Sequence, residues 1–279
     1  MGLFMCGRFV SARKRLELLE EFALERDAVP GDRGPDYNVA PTKRIYAVLD
    51  HVEEGKPQRE LRLVRWGLVP FWAKEASGGA RMINARAETV ASKPSFRSAF
   101  SRRRCLIPAD GYYEWQPGAA GSKVKQPFYI YRTDGGVLAF AGIYELWRDE
   151  SQRDLPEGRP PKPPHEGGED AEQAWLWTAS IITTDATDEI GRIHDRTPMV
   201  VPPEGWAEWL DPANSDKELL LATMRPATES GASGLTSHPV STAVNSVRNN
   251  GPDLIAPLAD AAPGPSGPGT GGAEGPTLF

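Results

Sequence analysis

Cysteine and histidine are scarce in this chain, which has 2 Cys and 4 His among its 279 residues. The two thiols, Cys6 and Cys105, argue against a disulfide framework, and so few thiols and imidazoles argue against a zinc site. We therefore expect no metal and no cofactor, and a protein that works in a reducing compartment.

Long apolar runs are absent from the sequence as well. No stretch approaches the ~18 to 20 apolar residues that a membrane-spanning helix needs. The first eight residues have neither the apolar stretch nor the small-residue cleavage site of a secretory signal. The sequence therefore predicts a cytoplasmic protein that does not enter a membrane.

Charge is distributed unevenly along the chain. The formal net charge is −6, yet residues 1–147 hold 23 Lys and Arg against 17 Asp and Glu. Residues 148–174 hold 4 against 8, and residues 175–279 hold 5 against 13. Because charges are screened over roughly 8 to 10 Å, a basic N-terminal half can bind phosphates on a chain that is acidic overall. Charge alone, however, favours a solvated surface without a partner.

Most of the apolar pattern is typical of β-strands. Helical spacing predicts one amphipathic helix over 11–26, and a capping box at 215–218 predicts another through Met224. Residues 133–136, Thr-Asp-Gly-Gly, predict a hairpin turn. Short runs rich in β-branched and aromatic residues predict seven strands, at 45–49, 61–66, 105–108, 128–131, 137–144, 175–183 and 199–201.

These elements predict a single α+β domain, mostly β, over residues 5–259, acting as a monomer. The Pro-rich acidic segment 148–172 is expected to form an exposed inserted loop without a catalytic role. The segment 260–279 is rich in Gly, Pro and Ala and is expected to be a disordered tail.

Three polar side chains, Asn84, Glu114 and His194, stand in apolar or turn-rich segments, and Cys6 lies near the start of the chain. Each has an ordinary structural explanation. Cys6 could be a packing residue and Asn84 could satisfy a turn, while Glu114 could face solvent from a strand. His194 could be a surface histidine beside Asp195.

Six motifs occur in order along the chain and make its resemblance to a known family specific. They are residues 6–9 (CGRF), 66–72 (WGLVPFW), 83–89 (INARAET), 104–115 (RCLIPADGYYEW), 140–147 (FAGIYELW) and 194–196 (HDR). In this order they resemble the SRAP (SOS response-associated peptidase) family. The resemblance continues to about residue 245 and implies a mostly β, α+β fold with curved, barrel-like sheets and peripheral helices.

The resemblance also implies a function in the SOS-type response to DNA damage. Cys6, as the first residue of the mature protein, would trap an abasic site in single-stranded DNA as a covalent adduct. Glu114 would act as acid and base near the ring-opened sugar, and Asn84 would position the terminus or the sugar. His194 would protonate the departing hydroxyl or assist elimination and reversal.

The same resemblance implies a groove for single-stranded DNA. Arg8, Arg86 and Arg196 would bind the phosphates beside the lesion, and Trp72 and Trp115 would stack on unpaired bases. Three further residues are expected in the core: Trp66, Trp147 and Cys105.

The chemistry explains why such a cysteine must be terminal. A ring-opened abasic sugar exposes an aldehyde, and an N-terminal Cys offers it an α-amine and a thiol on adjacent carbons. The amine condenses to a Schiff base, and the thiol then closes a five-membered thiazolidine, favoured by high effective molarity. An internal cysteine has no free amine.

The sequence departs from the family pattern in two places. Four residues, 1–4, precede Met5 and would leave the Cys6 nitrogen in a peptide bond. We expect either that translation starts at Met5 or that the leader is removed. Thr197 stands where the family more often has an apolar residue.

Two other functions compete with abasic-site cross-linking. One is a cysteine peptidase or autoprocessing hydrolase that uses Cys6, His194 and Glu114. The other is a non-covalent single-stranded DNA binder in which the thiol has no role.

Overall fold

The computed structural model describes residues 6–31, 33–53, 56–118, 124–148, 175–186, 189–227 and 234–258. The predicted leader and tail, and the predicted insert apart from Arg148, lie outside these residues. In the described part, fourteen strands and five short α-helices form a mixed α+β fold, as the sequence predicted.

The strands are β1 (Arg8–Ser11), β2 (Arg26–Asp27), β3 (Asp36–Val39), β4 (Arg44–Glu53), β5 (Lys56–Trp66), β6 (Asn84–Arg86), β7 (Arg104–Ala109), β8 (Gly111–Gln116), β9 (Gln126–Arg132), β10 (Leu138–Trp147), β11 (Leu176–Asp185), β12 (Arg196–Val200), β13 (Arg225–Pro226) and β14 (Leu235–Pro239). The helices are α1 (Arg15–Glu21), α2 (Ala87–Val90), α3 (Arg97–Arg102), α4 (Trp206–Leu210) and α5 (Lys217–Thr223). Several 3₁₀ turns connect them, including Ala76–Arg81 before β6 and Glu189–Arg192 before β12.

The strands form two sheets. The smaller has the order β14-β9-β8-β1-β3, and the larger runs β13-β12-β10-β7-β4-β5-β11-β6. Because β11 pairs with both β5 and β10, the pairings β10-β7-β4-β5-β11 close into a ring. The curved, barrel-like core implied by the resemblance is therefore confirmed.

Both faces of the larger sheet are buried, which explains why its strands β7 and β10 are apolar in almost every position. In β4, Ile45 and Leu49 belong to the core cluster that also holds Phe9 and Tyr112 of the smaller sheet. Tyr46 and Val48, which alternate with them, pack instead in a second cluster with residues of α1, α3, α4 and α5. The smaller sheet thus covers one face and the helices cover the other.

All seven predicted strands are present, but other predicted elements need correction. The predicted helix 11–26 shrinks to α1, because Ser11 pairs with Asp36 and Arg26 pairs with Glu60 in strands. The N-cap of α5 is Asp216 and not Ser215, since the Asp216 carboxylate accepts the N–H groups of Glu218 and Leu219.

The predicted hairpin at 133–136 is also wrong. A turn does connect β9 to β10, and Gly135 adopts a φ of 70° there. The two strands then enter different sheets: β9 pairs with β8 and β14, whereas β10 pairs with β7, β11 and β12. Local turn chemistry fixed the turn, but the partners of each strand are set by distant segments.

Candidate functional site

Cys6 lies at the junction of the two sheets, immediately before β1. Strand β1 pairs antiparallel with β8, with residues 8–10 opposite 113–111, and this register carries the start of the chain past Glu114. The backbone nitrogen of Cys6 donates a hydrogen bond of 2.8 Å to Oε1 of Glu114. The predicted nucleophile and the predicted acid/base residue are therefore in direct contact through the nitrogen that would be the terminal amine.

Glu114 is a buried carboxyl group, with 1% of the residue exposed. The sequence-based alternative that this side chain faces solvent is therefore wrong. Burial raises the pKa of Glu114 to about 8, and nearby Asp195 adds to the rise, whereas the Cys6 hydrogen bond and Lys125 oppose it. Near neutral pH the carboxyl group is thus largely protonated, as a general acid must be.

His194 lies on the other side of Glu114. Its Nδ1 is 4.0 Å from Oε2 of Glu114, and the residue is 9% exposed, so it is not the surface histidine of the alternative interpretation. The Arg196 backbone N–H donates to the same Nδ1 at 3.1 Å, and Asp195 approaches it at 3.1 Å. Because burial lowers the pKa of His194, we assign the neutral ring, with Nδ1 accepting from Arg196 and the proton on Nε2.

Asn84 completes this group from the larger sheet. It begins β6, which pairs parallel with β11, and its Nδ2 donates to the backbone carbonyl of Cys6 at 3.4 Å. The structure therefore brings together all four residues predicted to be catalytic: Cys6, Asn84, Glu114 and His194.

The Cys6 thiol itself is buried among apolar residues. Cys6 is 1% exposed, and burial, with the nearby Glu114, raises the pKa of the thiol well above its usual range. Cys6 also has a φ of 43°, in the left-handed region. The predicted core residue Cys105 is fully buried, as expected, and Trp66 and Trp147 are buried too.

The three arginines predicted to bind phosphates have different environments. Arg86 is exposed. Arg8 is half-buried: its guanidinium donates to Asn38 Oδ1 and the Val244 carbonyl at 2.7 and 2.8 Å and lies 5.9 Å from the Trp115 ring centre.

Arg196 is buried and makes ion pairs, with 4% of its side chain exposed. Its guanidinium meets both carboxylate oxygens of Glu88 at 3.0 and 3.1 Å and also contacts Asp185. A phosphate would have to compete with these carboxylates, so the predicted phosphate contact of Arg196 stays a prediction.

Two tryptophans were predicted to stack on bases. Trp72 is 55% exposed and adjoins Phe71, which is 59% exposed, so these rings form an apolar surface patch. Trp115 is half-buried and its Nε1 donates to Asn245 Oδ1 at 2.7 Å.

Several residues near the site escaped the sequence analysis. Asn38 is fully buried in β3 and fixes the segment 244–249, because its Nδ2 lies 3.0 to 3.2 Å from three carbonyl oxygens of that segment. Thr197, the departure from the family pattern, is buried and its hydroxyl is 3.2 Å from that of Tyr112. Glu88, inside a recognised motif, had no role assigned. The only feature of the sequence that pointed to Asn38 was an amide side chain next to the apolar residues around Val39.

Other potential sites are remote from this group or absent from the described residues. A cavity of about 230 Å³, lined by residues such as Arg132, Trp206 and Arg225, contains none of the four predicted catalytic residues. Within the described ranges, no three His, Cys, Asp or Glu side chains are placed to hold a metal ion. Nor does any described helix have the length and hydropathy to span a bilayer.

Comparison with known proteins agrees with this fold. The sequence profile of the SOS response associated peptidase (SRAP) family matches residues 5–247. The chain therefore belongs to the SRAP family.

Individual relatives cover nearly the same length. The chain is 38% identical over 251 residues to the abasic site processing protein YoqW of Bacillus subtilis, covering 90% of this chain and 99% of that protein. It is 35% identical over 265 residues to the abasic site processing protein YedK of Escherichia coli, covering 91% of this chain and 100% of that protein. A crystal structure of a Bacteroides thetaiotaomicron protein has the same fold, with a TM-score of 0.69 and 23% identity. The match covers 91% of this chain and 100% of that chain.

Proposed function

We propose that this protein processes abasic sites in DNA, and that it does so by forming a covalent thiazolidine between Cys6 and the ring-opened sugar in single-stranded DNA. Abasic-site processing is supported by the names of relatives that share almost the whole chain with it. The covalent step is supported by the geometry around the Cys6 nitrogen.

The observation that carries the proposal is the 2.8 Å contact between the Cys6 nitrogen and buried Glu114. In a chain that begins at Cys6, this nitrogen is a primary amine held beside a buried carboxyl group, and burial raises the pKa of that group. Such a group can exchange protons near neutral pH, both when the sugar ring opens and when the hydroxyl of the carbinolamine leaves. An amide nitrogen at this position would not add to the aldehyde, so it would need no proton donor.

The atoms balance without a cofactor. The amine adds to the aldehyde carbon, and loss of one water gives the Schiff base. The thiol then adds to the same carbon: the S–C bond forms and the thiol proton ends on the nitrogen. Glu114 supplies the proton for the leaving hydroxyl and recovers one from the nitrogen.

The state of the thiol favours this chemistry over the peptidase alternative. A cysteine peptidase needs a thiolate, whose pKa is lowered by its surroundings. Burial raises the pKa of Cys6 instead. In thiazolidine formation the amine attacks first, so the thiol can act late and within the same molecule.

The backbone of Cys6 supports removal of the residues before it. A φ of 43° brings the preceding carbonyl oxygen close to Cβ and costs a non-glycine residue roughly 1 to 2 kcal/mol. A Cys6 that begins the chain has no preceding carbonyl. The family profile also begins to match at residue 5.

The test is an adduct assay with two matched cysteine variants. Protein expressed from Met5, so that loss of the initiator Met exposes Cys6, is mixed with single-stranded DNA containing one abasic site and separated under denaturing conditions. We expect an adduct from the wild type and from Cys105→Ala, and none from Cys6→Ala.

The competing functions give different outcomes. Peptide cleavage without an adduct would establish the hydrolase, and salt-sensitive binding that Cys6→Ala leaves unchanged would establish the non-covalent binder. Intact-mass spectrometry of the native protein supplies a further check, because full cross-linking by a chain that still begins at Met1 or Gly2 would overturn the mechanism.

A further inference from the structure

Glu88 lies next to the site but was given no role by the motifs. It belongs to α2, two residues after the end of β6, the strand that begins with Asn84. Its two carboxylate oxygens receive the Arg196 guanidinium at 3.0 and 3.1 Å, a bidentate pair. The hydroxyl of Thr184 donates to the same carboxylate at 3.2 Å.

The pair connects α2, which follows β6, to β12, and β6 and β12 do not pair with each other in the described sheets. Strand β11 lies between them, pairing parallel with β6 through residues 181–183 and antiparallel with β12 through residues 183–185. The Arg196 side chain crosses β11, donating to the Thr183 carbonyl at 2.8 Å, and reaches Glu88 on the far side. The ion pair therefore ties the segment that follows Asn84 to the start of β12.

The start of β12 also sets the orientation of His194. The Arg196 backbone N–H donates to Nδ1 of His194 at 3.1 Å. A neutral imidazole can accept there only if its proton lies on Nε2. Asp195 Oδ1 lies 3.1 Å from the same nitrogen and favours a proton there, so the Arg196 N–H opposes Asp195 in selecting the Nε2–H tautomer.

We propose that Glu88 is a positioning residue: by holding Arg196 across β11, it fixes the Asn84 strand relative to His194 and keeps His194 in the Nε2–H tautomer. Glu88 touches neither Cys6 nor Glu114, and it acts through Arg196. The link to reaction rate rests on the proposed function, whereas the effect on the His194 tautomer does not.

Arg196 is a better choice than Lys for this task. Its planar guanidinium matches a carboxylate with two parallel hydrogen bonds and still has donors for the Thr183 carbonyl and Asp185. The bidentate geometry also limits rotation of the Arg196 side chain, and the held side chain restrains the Arg196 backbone. Asp185 cannot replace Glu88, because it lies on β11 and makes no connection to α2.

The experiment compares Glu88→Gln with Glu88→Asp and with Glu204→Gln. Glutamine keeps the size of the side chain but replaces one carboxylate oxygen with an NH2 group. The Arg196 guanidinium has no acceptor for these N–H donors. Glu204→Gln removes a carboxylate that faces Arg225 at 3.7 Å, outside the site. Nitrogen chemical shifts of the His194 ring, assigned with His194→Gln, report the tautomer, and cross-linking at saturating DNA reports the rate.

We expect the wild type and Glu204→Gln to show the Nε2–H tautomer, Glu88→Gln to show a mixture, and Glu88→Asp to lie between them. Cross-linking by Glu88→Gln should slow by about 10- to 100-fold, the usual effect of a small misplacement, while DNA affinity changes less than about twofold. An unchanged tautomer in Glu88→Gln overturns the positioning role. Tighter DNA binding without a slower reaction also overturns it, because Glu88 would then only mask Arg196 from phosphates. If the wild type forms no adduct, the proposed function fails and the tautomer alone decides the role of Glu88.

Discussion

At the scale of single residues, the proposed chemistry depends on a carboxyl group, Glu114, whose protonated form burial favours. Glu114 is fully surrounded by protein, and the strongest effect on its pKa is the loss of solvation. The contact with the Cys6 nitrogen stabilises the carboxylate but does not reverse this effect. Burial of this kind is one way in which a protein obtains a proton donor near pH 7 from glutamate.

Burial of Glu114 predicts a pH-dependent stability in the chain that retains residues 1–5. The folded pKa, about 8, exceeds the unfolded value, so the stabilising contribution is complete at acidic pH and is lost as the pH rises to about 8. Relative to the wild type, Glu114→Gln should gain stability on the order of a few kcal/mol between pH 5 and 8. Thermal unfolding at several pH values measures this gain. Parallel curves for the two proteins would contradict it, and the exposed Glu208→Gln serves as control.

At the scale of elements, close backbone contacts place the segments that carry the site. Gly67 follows β5 with a φ of 124°, and a Cβ on it would lie 2.6 Å from the carbonyl oxygen of Gly79. A Cβ on Gly79 would lie equally close to the Gly67 carbonyl. This contact packs the turn Ala76–Arg81 against the end of β5 and leads the chain into β6, where Asn84 begins.

We therefore predict that Gly67→Ala destabilises the protein by at least about 2 kcal/mol, because it combines an unfavourable φ with a backbone clash. The matched variant is Gly78→Ala in the neighbouring turn, where a Cβ meets nothing within 4 Å. Its effect should stay within about 1 kcal/mol. Chemical denaturation measures both, and equal effects would refute the role given to the Gly67–Gly79 contact.

Many of the strands were predictable from the sequence, since strands such as β4 and β10 are apolar on both faces. Among the strands that escaped prediction, β1, β3 and β6 are short or polar, and they exist because distant partners pair with them. Distant pairing also separated β9 from β10 despite a good turn sequence. The contact between Cys6 and Glu114 spans 108 positions, so the motifs named both residues but local pattern could not join them.

At the scale of the whole molecule, net charge gives little information about DNA binding. The chain carries −6 overall, and Arg196 is paired with two carboxylates. Arg8 is occupied by Asn38 and by backbone carbonyls. Among the three predicted phosphate ligands, exposed Arg86 is therefore the one best placed to meet DNA.

Arg86→Ala is expected to weaken binding to single-stranded DNA and to lower the slope of log affinity against log salt by about 0.7, the value for one phosphate. Arg225→Ala removes a cation from β13, outside the site, and should leave the slope unchanged. Titrations at several salt concentrations measure both slopes. A slope that Arg86→Ala does not alter would exclude a phosphate contact at this residue.

The most direct test of the account is to locate the covalent bond. The adduct between the Met5-start protein and abasic single-stranded DNA is digested and sequenced by mass spectrometry. The account predicts a modified peptide that begins at Cys6, has lost one water relative to peptide plus sugar, and resists borohydride because nitrogen and sulfur both bind the sugar carbon. An adduct on Cys105, on a lysine, or on a peptide that still carries Met5 would contradict it.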